Sequence, residues 1–191
     1  MAQVRHRCWW ADGGDALYAA YHDEEWGVPQ HDDGKLFEML LLEGFQAGLS
    51  WIAILRKREN FRKAFRDFDP ELIASFQKRD LERLMQDAGI VRNRLKVEGS
   101  VLNAKAFLAV QEEFGSFDKF IWQFTGGKTL RTPGGLTRDT IAAKTPESDR
   151  MSKELLRRGF KFAGSTICYA FMQAVGMVDD HVEGCWKYKA R

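Results

Sequence analysis

Helical patterning dominates this chain, and the sequence contains almost nothing that is typical of β-strands. No stretch sustains the alternation of apolar and polar residues that marks a half-buried strand. By contrast, Asp69-Pro70-Glu71 combines an N-cap residue, a proline at the first helical position and an acid in the first turn. The sequence therefore predicts an all-α protein.

The predicted helices lie at residues 35–60 (one helix, or two abutting helices bent around Gly44 and Gly48), 80–89, 92–114, 117–124, 148–158 and 165–175. A further helix is predicted to begin at residue 70. Residues 125–148 contain four of the 17 glycines and two of the four prolines. Because glycine and proline interrupt regular structure, we predict a loop there, with a short helix near its middle.

Composition and charge limit the classes of function. The 191 residues are 45% hydrophobic and 29% charged, as in globular proteins. No apolar run reaches the ~18–20 residues of a membrane span, and residues 1–20 lack the apolar core of a signal peptide, so we expect a cytoplasmic protein. The net charge is only +2, but basic residues cluster at 56–66, 92–96 and 153–162. Such clusters suit a polyanionic partner, although solvated helix faces are the alternative.

Metal-ligand residues are scarce, and two of them, His181 and Cys185, lie near the C-terminal end. An odd number of cysteines (three) far apart does not make a disulfide framework, which leaves free thiols or metal ligands. The other candidate donors are Cys8, His22, His6, His31 and Cys168, the last inside an apolar run that suggests a packed thiol. Cys8 and His22 would complete a tetrahedral zinc set that ties the two ends together. The spacing alone leaves a chance recurrence open.

Four segments resemble the type I 3-methyladenine DNA glycosylases, a bacterial family of helix-hairpin-helix repair enzymes: YHDEEWGVP (21–29), LFEMLLLEGFQAGLSW (36–51), LMQDAGIVRNRLK (84–96) and RGFKFAGSTICYAFMQAVGMVDDH (158–181). The resemblance implies a structural Zn²⁺ ion held by Cys8, His22, His181 and Cys185. It also implies a helix-hairpin-helix domain over residues 37–113 and a discontinuous zinc-binding helical subdomain made of 1–36 and 114–191.

The same resemblance implies a function in base excision repair. Members of the family flip 3-methyladenine out of alkylated double-stranded DNA and hydrolyse its glycosidic bond, which leaves an abasic site and the free base. Methylation at N3 makes the base cationic, so its pocket should offer aromatic faces. We also expect, from the resemblance, a monofunctional, monomeric glycosylase in the bacterial cytoplasm that is associated with the nucleoid when it acts.

A glutamate inside an apolar segment marks the expected base pocket. Burying the carboxylate of Glu43 is costly without partners, and such groups often lie at functional sites. The resemblance places Glu43, Tyr21, Trp26 and Trp51 around the base, and we predict Glu43 as the catalytic residue. Core packing is the alternative for the tryptophans. Phe45 stands where a well-known relative has a polar residue, which leaves the fine shape of the pocket open.

The segment 84–96 is similar to the family's DNA-binding hairpin, a helix, a tight glycine turn and a second helix. Backbone N–H groups in such a turn can bind a phosphate, and basic side chains add charge. A solvated helix pair is the alternative. The start of the last long helix provides a second expected contact. The implied DNA-binding residues are Gly89, Arg92, Arg94, Lys96, Ser165 and Thr166.

The residues after the hairpin contain no aspartate between 93 and 115. Many helix-hairpin-helix glycosylases place an aspartate there to stabilise the cationic sugar, but the family that this chain resembles lacks it. A cationic base already leaves easily, so modest electrostatic help suffices. The rival hypothesis is a non-catalytic, zinc-stapled module that senses alkylated bases. Glu43 together with three pocket aromatics favours the enzyme.

Overall fold

The computed structural model describes residues 5–46, 48–132 and 136–189. Within them the α-helices are α1 (Ala16–Glu24), α2 (Asp33–Gln46), α3 (Trp51–Ala64), α4 (Pro70–Ala74), α5 (Lys78–Gln86), α6 (Arg94–Phe114), α7 (Phe117–Trp122), α8 (Pro146–Arg157) and α9 (Ser165–Ala174), with 3-10 turns at Arg66–Phe68 and Gln123–Thr125. The same residues form no sheet, only an isolated bridge between Leu130 and Val178. The all-α prediction is confirmed. None of the described helices could cross a membrane.

The predicted helix at 35–60 is two helices, α2 and α3. The chain breaks between them at Gly48, whose φ of 85° lies in the left-handed region that suits glycine. Both predicted ends of α5 differ from the structure. α5 begins at Lys78, because Asp80 acts from inside the helix and accepts a hydrogen bond from the Gln77 N–H at 3.0 Å. It ends at Gln86, before Gly89.

Helix α1 was missed, and a predicted short helix in the 125–148 loop was wrong. α1 buries only Tyr21 and His22, so its apolar periodicity is weak, and it is capped by Asp15, which accepts from the Tyr18 N–H at 3.0 Å. In the loop, residues 126–132 and 136–144 form no helix. Hydrogen bonds between Thr137 and Thr140 close a turn there instead. Residues 133–135 lie outside the described chain.

An ion-pair group fixes the three helices that carry the predicted pocket residues. The Arg58 guanidinium of α3 donates to Glu38 of α2 at 2.6 Å and to Glu25, just after α1, at 2.7 Å. Arg62 adds a second contact to Glu38 at 2.9 Å. Because Glu38 and Arg58 are largely buried, these pairs restrict how α1, α2 and α3 can lie relative to one another.

The two ends of the chain meet beside α9. The Gly27 N–H donates to the carbonyl of Gln173 at 3.0 Å, and the Gln30 N–H to that of Val175 at 3.0 Å. Near the terminus, the Trp186 N–H donates to the carbonyl of His6 at 2.8 Å. Since α9 also packs against α2 and α8, it joins the terminal segments to the central helices.

Candidate active site

A cavity of about 230 Å³ lies between α1, α2, α3 and α9. All four predicted base-contacting residues line it: Tyr21, Trp26, Glu43 and Trp51. Glu43 lies in α2 and Trp51 begins α3, and both side chains line the cavity. The remaining lining residues were not predicted from the sequence; they are Trp9, Trp10, Tyr18, Gln46, Ile141, Ala170 and Gln173.

Some of the missed residues had a detectable signal. Tyr18 precedes Tyr21 by three residues and Gln46 follows Glu43 by three, a spacing that places side chains on one helix face. Ala170 and Gln173 share this spacing on α9. Phe45 points elsewhere: its ring packs against Phe61 and Phe65 at 4.8 and 5.7 Å between centroids. The difference from the relative at this position therefore affects the core more than the cavity wall.

The Glu43 carboxyl is the most unusual group in the cavity. It is 3% exposed, and its Oε2 has no hydrogen-bond partner among the described residues. Burial raises its pKa to about 8. An unpartnered buried carboxyl is costly, so this group is available to a polar ligand that enters the cavity.

Aromatic rings make up most of the cavity wall. The ring centroids of Tyr21 and Trp51 are 5.6 Å apart, and Trp10 contacts Tyr18 at 4.8 Å and Trp26 at 5.0 Å. Burial, and then the nearby Glu43 carboxyl, raise the pKa of both tyrosines, so their phenols stay neutral. Such rings can stack on a flat heterocycle and attract a cationic one.

A cluster of possible metal ligands lies next to this cavity. Ligand atoms of Cys8, His22 and Cys185 are all within 4.8 Å of one another, and all three residues are buried. The Nδ1 of His22 lies 2.8 Å from a carboxylate oxygen of Asp23, which leaves Nε2 3.4 Å from the Cys185 thiol. A histidine ligand whose second nitrogen bonds to a carboxylate is typical of metal sites. Burial raises the pKa of Cys8 to about 12.

The fourth predicted ligand, His181, lies outside that group but beside it. Its ring centroid is 5.1 Å from that of His22. Nδ1 is 2.7 Å from Asp179, and Nε2 is buried with no partner in the described part of the chain. Gly27 makes room for the ring, because a Cβ there would lie 2.7 Å from Cε1 of His181. A fourth donor is thus available, with the same carboxylate support as His22.

The predicted DNA contacts at the turn between α5 and α6 differ in how accessible they are. Arg92 and Arg94 are exposed. The N–H of Gly89 already donates to the carboxylate of Asp87 at 2.7 Å. A side chain here would be crowded, since a Cβ would lie 2.9 Å from Oδ1 of Asp87 and 3.1 Å from the Asn60 side chain of α3. Gly89 therefore shapes the turn, and its N–H is engaged within the protein.

The structure contradicts the prediction that Lys96 faces DNA. Lys96 is only 7% exposed, and its ammonium donates to the carbonyl of Phe45, in the last turn of α2, at 2.8 Å. A cation suits this position because the final carbonyls of a helix lack intrahelical partners. The side chain joins the start of α6 to the end of α2.

Ser165 and Thr166 are the first two residues of α9, and Thr166 is exposed. Thr166 shares a helix face with Ala170 and Gln173, which line the cavity four and seven residues further on. The rise of 1.5 Å per residue puts Thr166 about 6 Å along the helix from Ala170. The exposed Thr166 therefore lies about one helical turn from a residue that lines the cavity.

Comparisons with known proteins agree with this geometry. The sequence profile described as methyladenine glycosylase matches residues 9–188. DNA-3-methyladenine glycosylase 1 of Escherichia coli (strain K12) is 52% identical over 182 residues, which cover 95% of this chain and 96% of that protein. A crystal structure of 3-methyladenine DNA glycosylase I superposes with a TM-score of 0.93 at 51% identity, covering 96% of this chain and 100% of the other.

A second solved relative is more distant in sequence. The 3-methyladenine DNA glycosylase I of Staphylococcus aureus, studied for its recognition of 3-methyladenine, has a TM-score of 0.89 at 38% identity, with coverage of 94% and 96%. Fold and sequence together define a glycosylase, a hydrolase of N-glycosyl bonds. The chain belongs to the methyladenine glycosylase family.

Proposed function

We propose that this chain removes 3-methyladenine from alkylated double-stranded DNA by flipping the nucleotide and hydrolysing its glycosidic bond. The observation that carries the proposal is the buried, unpartnered Oε2 of Glu43 inside an aromatic cavity. The relatives that share the fold are named for this base. The products are free 3-methyladenine and an abasic site.

The chemistry needs little from the protein beyond binding and charge. Methylation at N3 leaves the base positively charged, so the electron pair of the C1′–N9 bond passes to the base and neutralises it. A water molecule then forms the new bond to C1′ and gives up a proton. Because the leaving group is already activated, differential binding of the transition state is sufficient and no strong general acid is required.

Glu43 is the residue that we assign to base recognition and catalysis. Its carboxylate can accept a hydrogen bond from the exocyclic amino group of adenine, whereas guanine presents an acceptor oxygen at the equivalent edge. A charge-assisted hydrogen bond is worth roughly 1.5–3 kcal/mol, or about tenfold to a hundredfold in discrimination. Since burial raises the pKa of the empty site to about 8, a cationic base also favours ionisation of Glu43.

The aromatic walls supply the remaining affinity. Tyr21, Trp26 and Trp51 would hold the base by stacking, which is stronger for a cationic, electron-poor ring. Trp51 Nε1 is buried without a partner among the described residues, so it offers a second polar contact to a bound base. Tyr21 directly precedes His22 in the chain, and the ring of Trp26 packs against that of His181. Pocket residues are therefore in contact with the metal-ligand residues.

We infer that residues 37–113 form the helix-hairpin-helix domain and bind DNA through the α5–α6 turn. The support is the exposed position of Arg92 and Arg94 at the start of α6, where a phosphate would meet both charge and a helix N-terminus. Ser165 and Thr166 would make a second contact. The enzyme would act as a monomer on chromosomal DNA in the bacterial cytoplasm.

We also infer a structural Zn²⁺ ion at Cys8, His22, His181 and Cys185, in the subdomain of residues 1–36 and 114–191. The residues fit: three donors converge, and the buried Nε2 of His181 lies beside them. Four protein ligands leave no open position, so the ion would contribute stability and no catalytic step. It would link residues 8–22 to residues 181–185.

The experiment that tests the function separates an enzyme from a sensor of alkylated bases. Methylated duplex DNA is incubated with an excess of DNA over protein, and released bases are separated by HPLC. An enzyme releases more 3-methyladenine than there is protein. Binding of methylated DNA without release would support the sensor and contradict the proposal.

A further inference from the structure

Three residues that line the cavity lie outside the helices and were not predicted: Trp9, Trp10 and Ile141. Ile141 belongs to residues 136–141 of the glycine-rich loop. No function was predicted for this loop from the sequence. The loop therefore reaches the site that we propose for the damaged base.

Residues 136–141 are held in a defined shape. Leu136 is buried, and its carbonyl accepts a hydrogen bond of 3.0 Å from the N–H of Glu183, which lies between His181 and Cys185. The N–H of Thr137 donates to Oγ1 of Thr140 at 2.9 Å, and the N–H of Thr140 donates to the carbonyl of Thr137 at 3.2 Å. The turn is anchored at one end and closed on itself, which positions Ile141 against the cavity.

The same turn contacts Trp9 from outside the cavity. The Arg138 guanidinium lies 5.9 Å from the Trp9 ring centroid, within the range of a cation–π contact. Trp9 is 40% exposed, and it lines both the base cavity and the neighbouring surface cleft that contains Thr137 and Arg138. Arg138 thus holds a partly exposed ring at the rim.

We propose that Trp9 and residues 136–141 form the outer wall of the base pocket and set the largest alkylated adenine that this chain accepts. The inference rests on the proposed function and names its specificity determinant. Ile141 and the ring of Trp9 present apolar surface, so they read the size of a ligand, whereas Glu43 reads its hydrogen-bonding edge. One methylene more or less in an apolar pocket changes selectivity by about 10- to 200-fold.

The test measures binding of two free bases, 3-methyladenine and 3-ethyladenine, by quenching of tryptophan fluorescence. Ile141→Ala enlarges the pocket and should shift the affinity ratio towards 3-ethyladenine by about tenfold. Ile141→Trp fills the pocket and should weaken binding of both bases by at least about tenfold. Arg138→Ala leaves Ile141 unchanged but releases the Trp9 ring, so it should shift the ratio in the same direction as Ile141→Ala, by less.

Matched controls use Asp139, an exposed residue of the same turn that does not line the cavity. Asp139→Ala and Asp139→Trp should leave both affinities within about twofold of wild type, and thermal unfolding checks that each variant is folded. An unchanged affinity ratio in Ile141→Ala and Arg138→Ala, with wild-type binding by Ile141→Trp, overturns this inference alone. Failure of the wild-type protein to bind either base overturns it together with the proposed function.

Discussion

The Sγ of Cys185 lies 3.4 Å from Nε2 of His22, although 163 residues separate the two in sequence. The residue before His22 is Tyr21, whose ring forms part of the cavity wall. One turn of α1 therefore carries both a possible metal ligand and a pocket residue. This geometry links the integrity of the terminal cluster to the shape of the base site.

Removing one metal ligand should lower stability more than it alters the pocket chemistry. We expect about one zinc per chain by elemental analysis of the wild-type protein, and loss of zinc with a lower melting temperature in Cys8→Ser and Cys185→Ser, because the clip between the two ends is lost. The matched control is Cys168→Ala, which removes a buried thiol outside the cluster and should retain zinc. A fully stable, active Cys185→Ser protein would contradict the assignment.

The pKa of Glu43 predicts a particular dependence of stability on pH. Burial raises this pKa from 4.5 to about 8 in the folded protein, so between those values the folded state binds more protons than the unfolded one. The free energy of unfolding should therefore fall as the pH rises from about 5 to 9. Glu43→Gln has no such group and should lose this part of the dependence, on the order of a few kcal/mol.

The measurement is denaturant unfolding at pH 5 and pH 9 of wild type, Glu43→Gln and Glu112→Gln. Glu112 is exposed, so its substitution should leave the wild-type pH dependence unchanged. If the curve for Glu43→Gln runs parallel to that of wild type, Glu43 does not have a raised pKa.

DNA affinity should depend on Arg92 and Arg94 without regard to sequence. Arg92→Ala or Arg94→Ala should weaken binding to undamaged duplexes and reduce the slope of log affinity against log salt by up to about one unit each. Lys105→Ala is the control, since Lys105 is exposed further along α6. Fluorescence anisotropy at several salt concentrations gives both quantities. Wild-type affinity and slope in both variants would show that the hairpin is not the DNA contact.

Lys96 should behave differently from these arginines. Lys96→Met removes the ammonium that binds the Phe45 carbonyl and leaves a buried acceptor without that partner, so we expect a loss of stability of roughly 1–3 kcal/mol. The salt slope of DNA binding should stay at the wild-type value, because Lys96 is only 7% exposed and its ammonium binds the Phe45 carbonyl. A reduced slope with unchanged stability would restore Lys96 to the DNA-binding surface.

Some residues of the site could be predicted from local sequence, whereas others are brought to it only by tertiary contacts. The four pocket residues could be predicted because a resemblance named them and a buried glutamate is chemically conspicuous. The error at Lys96 could have been reduced, since residues two apart on a helix, such as Arg94 and Lys96, lie on different faces. The contribution of Ile141 could not be predicted, because the path of a glycine-rich loop is set by tertiary contacts such as the hydrogen bond from Glu183 to Leu136.

The central claim is that Glu43 makes this cavity an excision site for 3-methyladenine. The most direct test is single-turnover release of bases from methylated DNA by wild type and Glu43→Gln, measured side by side by HPLC. We predict that wild type releases 3-methyladenine and that Glu43→Gln releases it at least about tenfold more slowly, with the helical content of wild type retained. Equal rates of 3-methyladenine release by the two proteins would contradict the account.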